Sequence, residues 1–496
     1  MISPGNRRYF TFSRYLFNIF YNSTIMLRMQ NKALDKSIQI LTVVYMALFL
    51  LGSFSFAFYY PFGHLNDCDQ FSFLYIFFQL IRLSAFILVP LAGFYFYKTP
   101  RNIVKTILPF LFISLFFFYP QYTSLSKLDS VLPFYNDTGL DQTQIEIYNK
   151  INMFLPDYII KSEYILEIVI VICIGILLNF KFRFELSDLK SIVWFPLFVL
   201  LSLPLNLSEN LTRTFSEKTE EFLTFHNYGI WHSLLFLLLV IVTISAYLLL
   251  KNKEEGTQKY VLRIMCLMMF SMFFGKNSML IGDGYNVYNT VFASIPLFIC
   301  DIGKFIVFIA IMADKKWFYQ CAYFVHSAGA LTVFFYLGKE SSTNYDTVFS
   351  YTYLYFTLNH ILLFLLSVLP MYLSLEKFKW KNIFSSSLYY GVVIVIAAFV
   401  SVSVTNFVSQ LTDEFGNTLS TAFLPNYAFT QICPLPMEFP TFLNLTIGVY
   451  EINFVYELTL FISYVVLFLA FYFINELIYL ATHKIQSKTK LNQEDL

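Results

Sequence analysis

Charge is what this 496-residue chain has least of, since only 13% of its residues are Asp, Glu, Lys or Arg and its net charge is +1. A near-neutral chain gives no electrostatic reason to expect nucleic acid as a partner. The chain is 57% hydrophobic, with a mean hydropathy of +0.61, which excludes a soluble domain because none could bury that much apolar surface. The sequence therefore predicts an all-α, polytopic integral membrane protein whose partners are membrane lipids.

Several motifs are also missing from the sequence. It has no metal-ligand spacing, no phosphate-binding loop and no nucleotide motif, so neither a metal nor a cofactor is expected. The amino terminus lacks a signal-peptide pattern, and its basic residues are typical of a cytoplasmic flank. No clear internal repeat is present, which weakens the interpretation as an inverted-repeat transporter.

Long apolar runs are what the chain does have. A membrane-spanning helix needs about 20 apolar residues, and the runs predict about twelve such helices. Their expected bounds are 37–60, 71–97, 102–120, 162–180, 189–206, 229–250, 261–281, 290–313, 316–337, 351–374, 384–408 and 448–482. The last run is longer than a membrane requires, so we expect it to be tilted or broken.

The distribution of Lys and Arg predicts the orientation of these helices. With the amino terminus inside, 24 of the 33 Lys and Arg residues lie in inner segments and 7 in outer segments. Inner loops of membrane proteins are enriched in these residues. The sequence therefore predicts a multi-pass protein of the cell membrane with both termini in the cytoplasm.

One polar stretch divides the chain into two predicted modules. It runs from about 207 to 228, and we place a boundary near residue 220. Residues 1–220 would form a membrane module of about five helices, and residues 221–496 a bundle of seven.

Cys300 and His360 are the most informative polar residues of the second module. Cys300 lies within "VFASIPLFICDIGKFIVFIAIM" and His360 within "FTLNHILLFLLSVL". If the spans begin at 290 and 351, both residues lie about 14–15 Å deep from the same face. A thiol needs a neighbouring base to become a nucleophile, and an imidazole can take that proton and later return it. In the purely structural alternative, His360 makes a hydrogen bond between packed helices, and Cys300 only fills space in the core.

Further polar residues in apolar runs are candidates for substrate binding, because ionisable groups inside a membrane are costly. They are His232, Asp301, Lys304, Tyr323 and Glu457. Asp301 and Lys304 are three residues apart and can pair on one helix face. That pair either neutralises itself or binds an anionic headgroup. Pro296 is expected to open its helix about one turn before Cys300.

The second half of the chain, about residues 226–482, resembles the YwaF family of integral membrane proteins, which is related to the animal transmembrane-protein-164 acyltransferases. Six ordered segments carry the resemblance: "YGIWHSLLFLLL" with His232, "YVLRIMCLMM" with Arg263, "ASIPLFICDIGKFI" with Pro296, Cys300 and Asp301, "KKWFYQCAYFVHSAGAL" with Tyr323, Phe324 and Gly329, "LYFTLNHILLFLLSV" with His360, and "PNYAFTQICPLP" with Asn426 and Tyr427.

The resemblance implies a lipid acyltransferase that moves a fatty acyl chain onto a lysophospholipid. It assigns the catalytic roles to Cys300 and His360, which we expect to lie within about 4–6 Å of each other. His232, Asn426 and Tyr427 would hold a headgroup at the outer mouth of the site. The alternatives are a multi-spanning transporter, with Arg82, Asp301 and Lys304 along its pathway, and a non-enzymatic membrane protein.

Overall fold

The structure is a computed structural model that describes most of the chain as helices. The described residues are 31–50, 73–125, 157–202, 229–280, 295–335, 351–377, 379–408, 428, 439–448 and 450–494. They separate into two compact units, one containing the helices up to Ser202 and the other containing those from residue 229 onward. The predicted module boundary near residue 220 falls outside the described residues and stays a prediction.

The helices of the first unit are α1 Asn31–Leu50, α2 Phe73–Gly93, α3 Lys98–Thr106, α4 Leu108–Leu125, α5 Asp157–Lys181, a 3₁₀ helix Leu186–Trp194, and α6 Phe195–Ser202. Those of the second unit are α7 Ile230–Leu250, α8 Glu255–Leu280, α9 Ile299–Ala313, α10 Lys316–Cys321, a π-helical segment Ala322–His326, α11 Ser327–Phe335, α12 Tyr351–Tyr372, α13 Asn382–Val408 and α14 Phe454–Glu494.

Membrane character is evident in the length and composition of these helices. Among the described residues, four helices are long and apolar enough to cross a bilayer: Asn31–Leu50, Ile230–Leu250, Asn382–Phe407 and Phe454–Leu477. Every predicted span overlaps a helix. The prediction of a helical membrane protein is thus confirmed, whereas the number of about twelve spans stays a prediction.

A β-hairpin corrects two details of the sequence-based fold. Strands β1, Asn444–Ile447, and β2, Tyr450–Asn453, pair antiparallel, so the described chain is not entirely helical. The predicted start of the last span at 448 is therefore wrong, because α14 begins only at Phe454. Gly448 supplies the positive φ of 65° that the tight turn requires. The side chain of Asn453 then accepts a hydrogen bond from the Tyr456 N–H at 3.0 Å and caps α14.

The first unit is held together by a buried ion pair at one end. Lys105 on α3 donates to Asp188 of the 3₁₀ helix at 2.6 Å, and both side chains are at most 8% exposed. Burial alone would raise the pKa of the Asp188 carboxyl. Hydrogen bonds from Lys105 and from the Glu185 N–H, together with the positive charges of Lys105 and Arg101, outweigh burial and hold that pKa below its ordinary value of 3.8.

The second unit is built around α12. This helix packs against α7, α8, α9 and α11, and its residues 359–371 are all buried. A helix that is apolar on every side belongs in the interior, as the run "HILLFLLSVLPM" indicates. Ion pairs Lys259–Asp314 and Lys316–Glu376 join the segments beside α8, α9 and α12 at one end of the unit. With the predicted spans and the amino terminus inside, these segments are expected on the inner face of the membrane, and that orientation stays a prediction.

Candidate functional site

Cys300 lies at the start of a helix rather than in the middle of one. The prediction of a continuous helix from 290 is wrong over its described part, because residues 295–298 are not helical and α9 begins at Ile299. Pro296 accounts for the late start, since proline lacks the N–H that a helix interior needs and disfavours helical geometry in the residue before it. Cys300 is half-buried in the first turn of α9, where the helix dipole favours negative charge.

His326 connects this helix start to the neighbouring helices. Its Nδ1 donates to the carbonyl oxygen of Ile299 at 3.0 Å, and its Nε2 accepts from the Tyr389 hydroxyl at 2.9 Å. The ring is 1% exposed. His326 belongs to the π-helical segment, and such segments often occur at functional sites. Sequence reasoning placed His326 in a span without a role, because nothing in the sequence marks the π turn.

His360 on α12 has a defined tautomer. Its Nδ1 lies 2.7 Å from the carbonyl oxygen of Phe356, one turn earlier, and only the ring can donate in that hydrogen bond. In the neutral ring the proton is therefore on Nδ1 and the lone pair on Nε2. The ring is 5% exposed and packs at 4.3 Å against the ring of Phe356. The predicted 4–6 Å separation between Cys300 and His360 stays a prediction, although their helices are in contact.

Aromatic residues from α13 and α14 surround the start of α9. Ile299 belongs to a buried cluster with Tyr390 of α13 and Phe468 of α14. The Tyr464 hydroxyl is within electrostatic range of Cys300 and contacts the Thr332 hydroxyl. The thiol therefore lies where α9, α11 and α14 meet.

Asp301 and Lys304 form the ion pair that the sequence predicted. The Lys304 ammonium donates to the Asp301 carboxylate, and the two residues are 4% and 2% exposed. Lys304 Nζ also lies 4.7 Å from the ring centroid of Phe273 on α8. The pairing is confirmed, and the two charges neutralise each other within the helix. Their predicted part in substrate binding stays a prediction.

His232 and Tyr323, both predicted to bind substrate, are buried by helix packing. His232 Nε2 donates to the Phe334 carbonyl at 2.6 Å and so links α7 to α11. Tyr323 is fully buried and packs against Phe471 of α14. Phe471 is seven residues beyond Tyr464, or about 10 Å along the helix. Tyr323 thus packs against a different part of α14 from the part beside Cys300.

The remaining residues predicted to bind substrate are Glu457, Asn426 and Tyr427. Glu457 is in the first turn of α14, is half-buried, and acts electrostatically on Tyr390. Asn426 and Tyr427 lie outside the described residues. Among the described residues, no group of three or more His, Cys, Asp or Glu side chains is arranged to hold a metal ion.

Comparisons with known proteins agree with the resemblance found in the sequence. Residues 222–468 match the profile of the TMEM164 family. No curated protein and no solved structure matches the chain. The matched part contains α7 to α13 and the start of α14, and hence Cys300, His326, His360 and Glu457. Through this half of its sequence, the chain belongs to the TMEM164 family of membrane proteins.

Proposed function

We propose that the second unit is a membrane-embedded lipid acyltransferase in which Cys300 accepts the acyl chain and His360 serves as base and then acid. The observation that carries this proposal is the position of Cys300, in the first turn of a helix that begins within an apolar segment. Non-helical backbone at membrane depth is tolerated where it is buried in protein or lines a cavity, and it often marks a binding site.

The helix start supports the chemistry at sulfur. The thiolate is the reactive form of cysteine, and the N-terminal end of a helix favours it. The first intrahelical bonds of α9 run from the N–H groups of Asp301 and Ile302 to the Phe298 carbonyl. The N–H group of Ile299 precedes them and is the donor we assign to the oxyanion of the tetrahedral intermediate.

The tautomer of His360 supports its role as the base. With Nδ1–H directed to Phe356, Nε2 accepts the thiol proton. The sulfur then attacks the ester carbonyl of a donor phospholipid, the S–C bond forms, and the C–O bond breaks. His360 returns the proton to the departing lysolipid oxygen. In the second half of the cycle a lysophospholipid hydroxyl gives its proton to His360 and attacks the thioester. The new C–O bond forms, the S–C bond breaks, and His360 returns the proton to sulfur, which restores the thiol.

The competing histidine, His326, is less suited to this task. Both of its ring nitrogens are engaged, one with Ile299 and the other with Tyr389. The transporter alternative needs charges that face a pathway, whereas Asp301 and Lys304 face each other. These contacts favour the enzyme.

The test is radiolabelled acyl transfer to a lysophospholipid in membranes that contain each variant. We expect Cys300→Ser to abolish transfer, because a hydroxyl ionises far less readily than a thiol. His360→Ala is expected to lower the rate by about 10²–10⁴-fold. Cys321→Ser is the matched control, since Cys321 is fully buried in the same unit. Trapping of a thioester in the wild type, and its absence from Cys300→Ser, is the second readout. Equal transfer by the wild type and Cys300→Ser would end the proposal.

A further inference from the structure

Glu457, in the first turn of α14, has a buried carboxylate that accepts no hydrogen bond from the described residues. Both carboxylate oxygens are buried, and neither has a hydrogen-bond partner among the residues that the structure describes. An ionised carboxylate removed from water without a partner strongly destabilises the fold. Buried polar groups in folded proteins almost always have partners, so an orphaned one calls for an explanation such as an ion or ligand.

Aromatic side chains border this carboxylate. Tyr390 is fully buried and lies within electrostatic range of both Glu457 and Tyr456. Its ring stacks on Phe461 with centroids 6.0 Å apart. The ring of Tyr456 in turn packs against Phe439 at 5.1 Å. The Tyr390 hydroxyl, like Glu457, has no hydrogen-bond partner within the described part of the chain.

This combination suits an organic ammonium group better than a metal ion. Hard cations such as Ca²⁺ take about 6–8 oxygen ligands. Glu457 belongs to no metal-binding group among the described residues. An alkylammonium group needs only one opposite charge, and it gains further attraction from aromatic faces.

The position of Glu457 relative to Cys300 fits the dimensions of a phospholipid. Glu457, Phe461, Tyr464 and Phe468 follow one another at helical spacing along one face of α14, and Tyr390 contacts the three rings. Tyr464 is the residue beside Cys300, and it is seven residues, or about 10 Å, from Glu457 along the helix. The ammonium nitrogen of a phospholipid and its sn-2 oxygen are joined by about eight bonds, which span roughly 8–10 Å when extended.

We propose that Glu457, together with Tyr390, binds the ammonium group of a choline or ethanolamine phospholipid and selects lipids by headgroup charge. This inference rests on the proposed function, because it places the ester of the same lipid at Cys300. Glu457 lies at the end of α14 that the charge pattern assigns to the outer face, so the headgroup is held nearer the membrane surface than the reacting ester.

The test measures binding rather than transfer. Purified full-length protein is titrated with lysophosphatidylcholine and, separately, with lysophosphatidylglycerol of the same chain length. We expect the wild type to bind the choline lipid at least about tenfold more tightly, and Glu457→Gln to bring that ratio close to one. Glu451→Gln is the control, because Glu451 is exposed on the adjacent hairpin and bonds to Asn444. Glu457→Asp, which keeps the charge, is expected to retain a preference for the choline lipid.

The outcomes separate this inference from the proposed function. Cys300→Ser protein is expected to show the wild-type binding ratio even though it transfers no acyl chain. A wild-type ratio near one, or a Glu457→Gln ratio equal to that of the wild type, overturns the headgroup site. A Glu457→Gln ratio equal to that of the wild type would mean that the Glu457 carboxyl is protonated in the folded protein and offers no charge to the lipid. If the wild type preferred the choline lipid but its acyl transfer did not depend on Cys300, the headgroup site would stand and the proposed acyltransferase function would be overturned.

Discussion

The Nδ1 atom of His326 lies 3.0 Å from the carbonyl oxygen of Ile299, the residue directly before Cys300. This hydrogen bond joins the π-helical segment to the first turn of α9. The bond from the Tyr389 hydroxyl to His326 Nε2 extends the connection to α13. Two elements, the π-helical segment and α13, are thereby fixed to the backbone beside the thiol, so His326 anchors the start of α9.

Replacing His326 is expected to destabilise the second unit. His326→Phe leaves the buried Ile299 carbonyl and the Tyr389 hydroxyl without their partner, at a cost of about 1–3 kcal/mol. Tyr389→Phe removes only one hydrogen bond and should cost about 0.5–1.5 kcal/mol. Denaturation of the purified protein in detergent gives both values. If His326→Phe had the same free energy of unfolding as the wild type, the hydrogen bonds of His326 would contribute nothing to stability.

Gly303 is expected to tolerate no side chain. A Cβ atom there would lie 2.7 Å from His326 Nδ1, closer than real Cβ contacts allow. Gly303→Ala must therefore displace the His326 ring, with a loss of about 1–3 kcal/mol as in other overpacked interiors. The matched control is Gly256→Ala on α8, where a Cβ meets nothing within 4 Å. That variant should be neutral or slightly stabilised, because alanine is the better helix former. Equal stability of the two variants would contradict the packing seen at Gly303.

The stability of the first unit should fall in acid through Asp188. Because the folded-state pKa of Asp188 is below its ordinary value of 3.8, the pair with Lys105 stabilises the fold above that pH. The contribution is lost as the pH falls below 3.8, through the folded-state pKa. Asp188→Asn should lack this acid-dependent loss, and at neutral pH it should cost about 3–5 kcal/mol because the Lys105 charge stays buried.

The measurement for Asp188 is thermal unfolding between pH 7 and pH 2, and its control lies in the same unit. Asp35→Asn breaks the ion pair with Lys181, whose partners are 35% and 16% exposed, and should cost far less at neutral pH. The same acid dependence in the wild type and in Asp188→Asn would refute the assignment.

Both chain termini are expected to face the cytoplasm. A cysteine introduced by Gln493→Cys should resist a membrane-impermeant thiol reagent in intact cells and react after the membrane is permeabilised. Cys68 and Cys433, which the charge pattern places in outer loops, are changed to serine so that they do not react. The unmodified chain, which keeps both of these cysteines, tests reagent access from outside. Labelling of position 493 in intact cells would contradict the predicted topology and place the carboxyl terminus outside.

The helical membrane class, the family and the Asp301–Lys304 pair could all be predicted from local sequence. Long apolar runs leave few folds open, because backbone groups in a bilayer must be satisfied within the chain. The i, i+3 spacing alone brings Asp301 and Lys304 together. The hairpin at 444–453 was missed, because the apolar run was interpreted as a helix starting at 448 and residues 444–447 as part of the loop before it.

The sequence by itself determined that the chain enters a membrane and that a cysteine and a histidine lie in its apolar part. Only the tertiary structure decided that Cys300 starts a helix, that His326 fixes that start, and that the Glu457 carboxylate is buried among aromatic rings. The apolar runs and the positions of the cysteine and the histidine within them are properties of the sequence itself. The three features decided by the tertiary structure depend on contacts between helices far apart in the sequence, and their packing emerges only when the whole bundle is assembled.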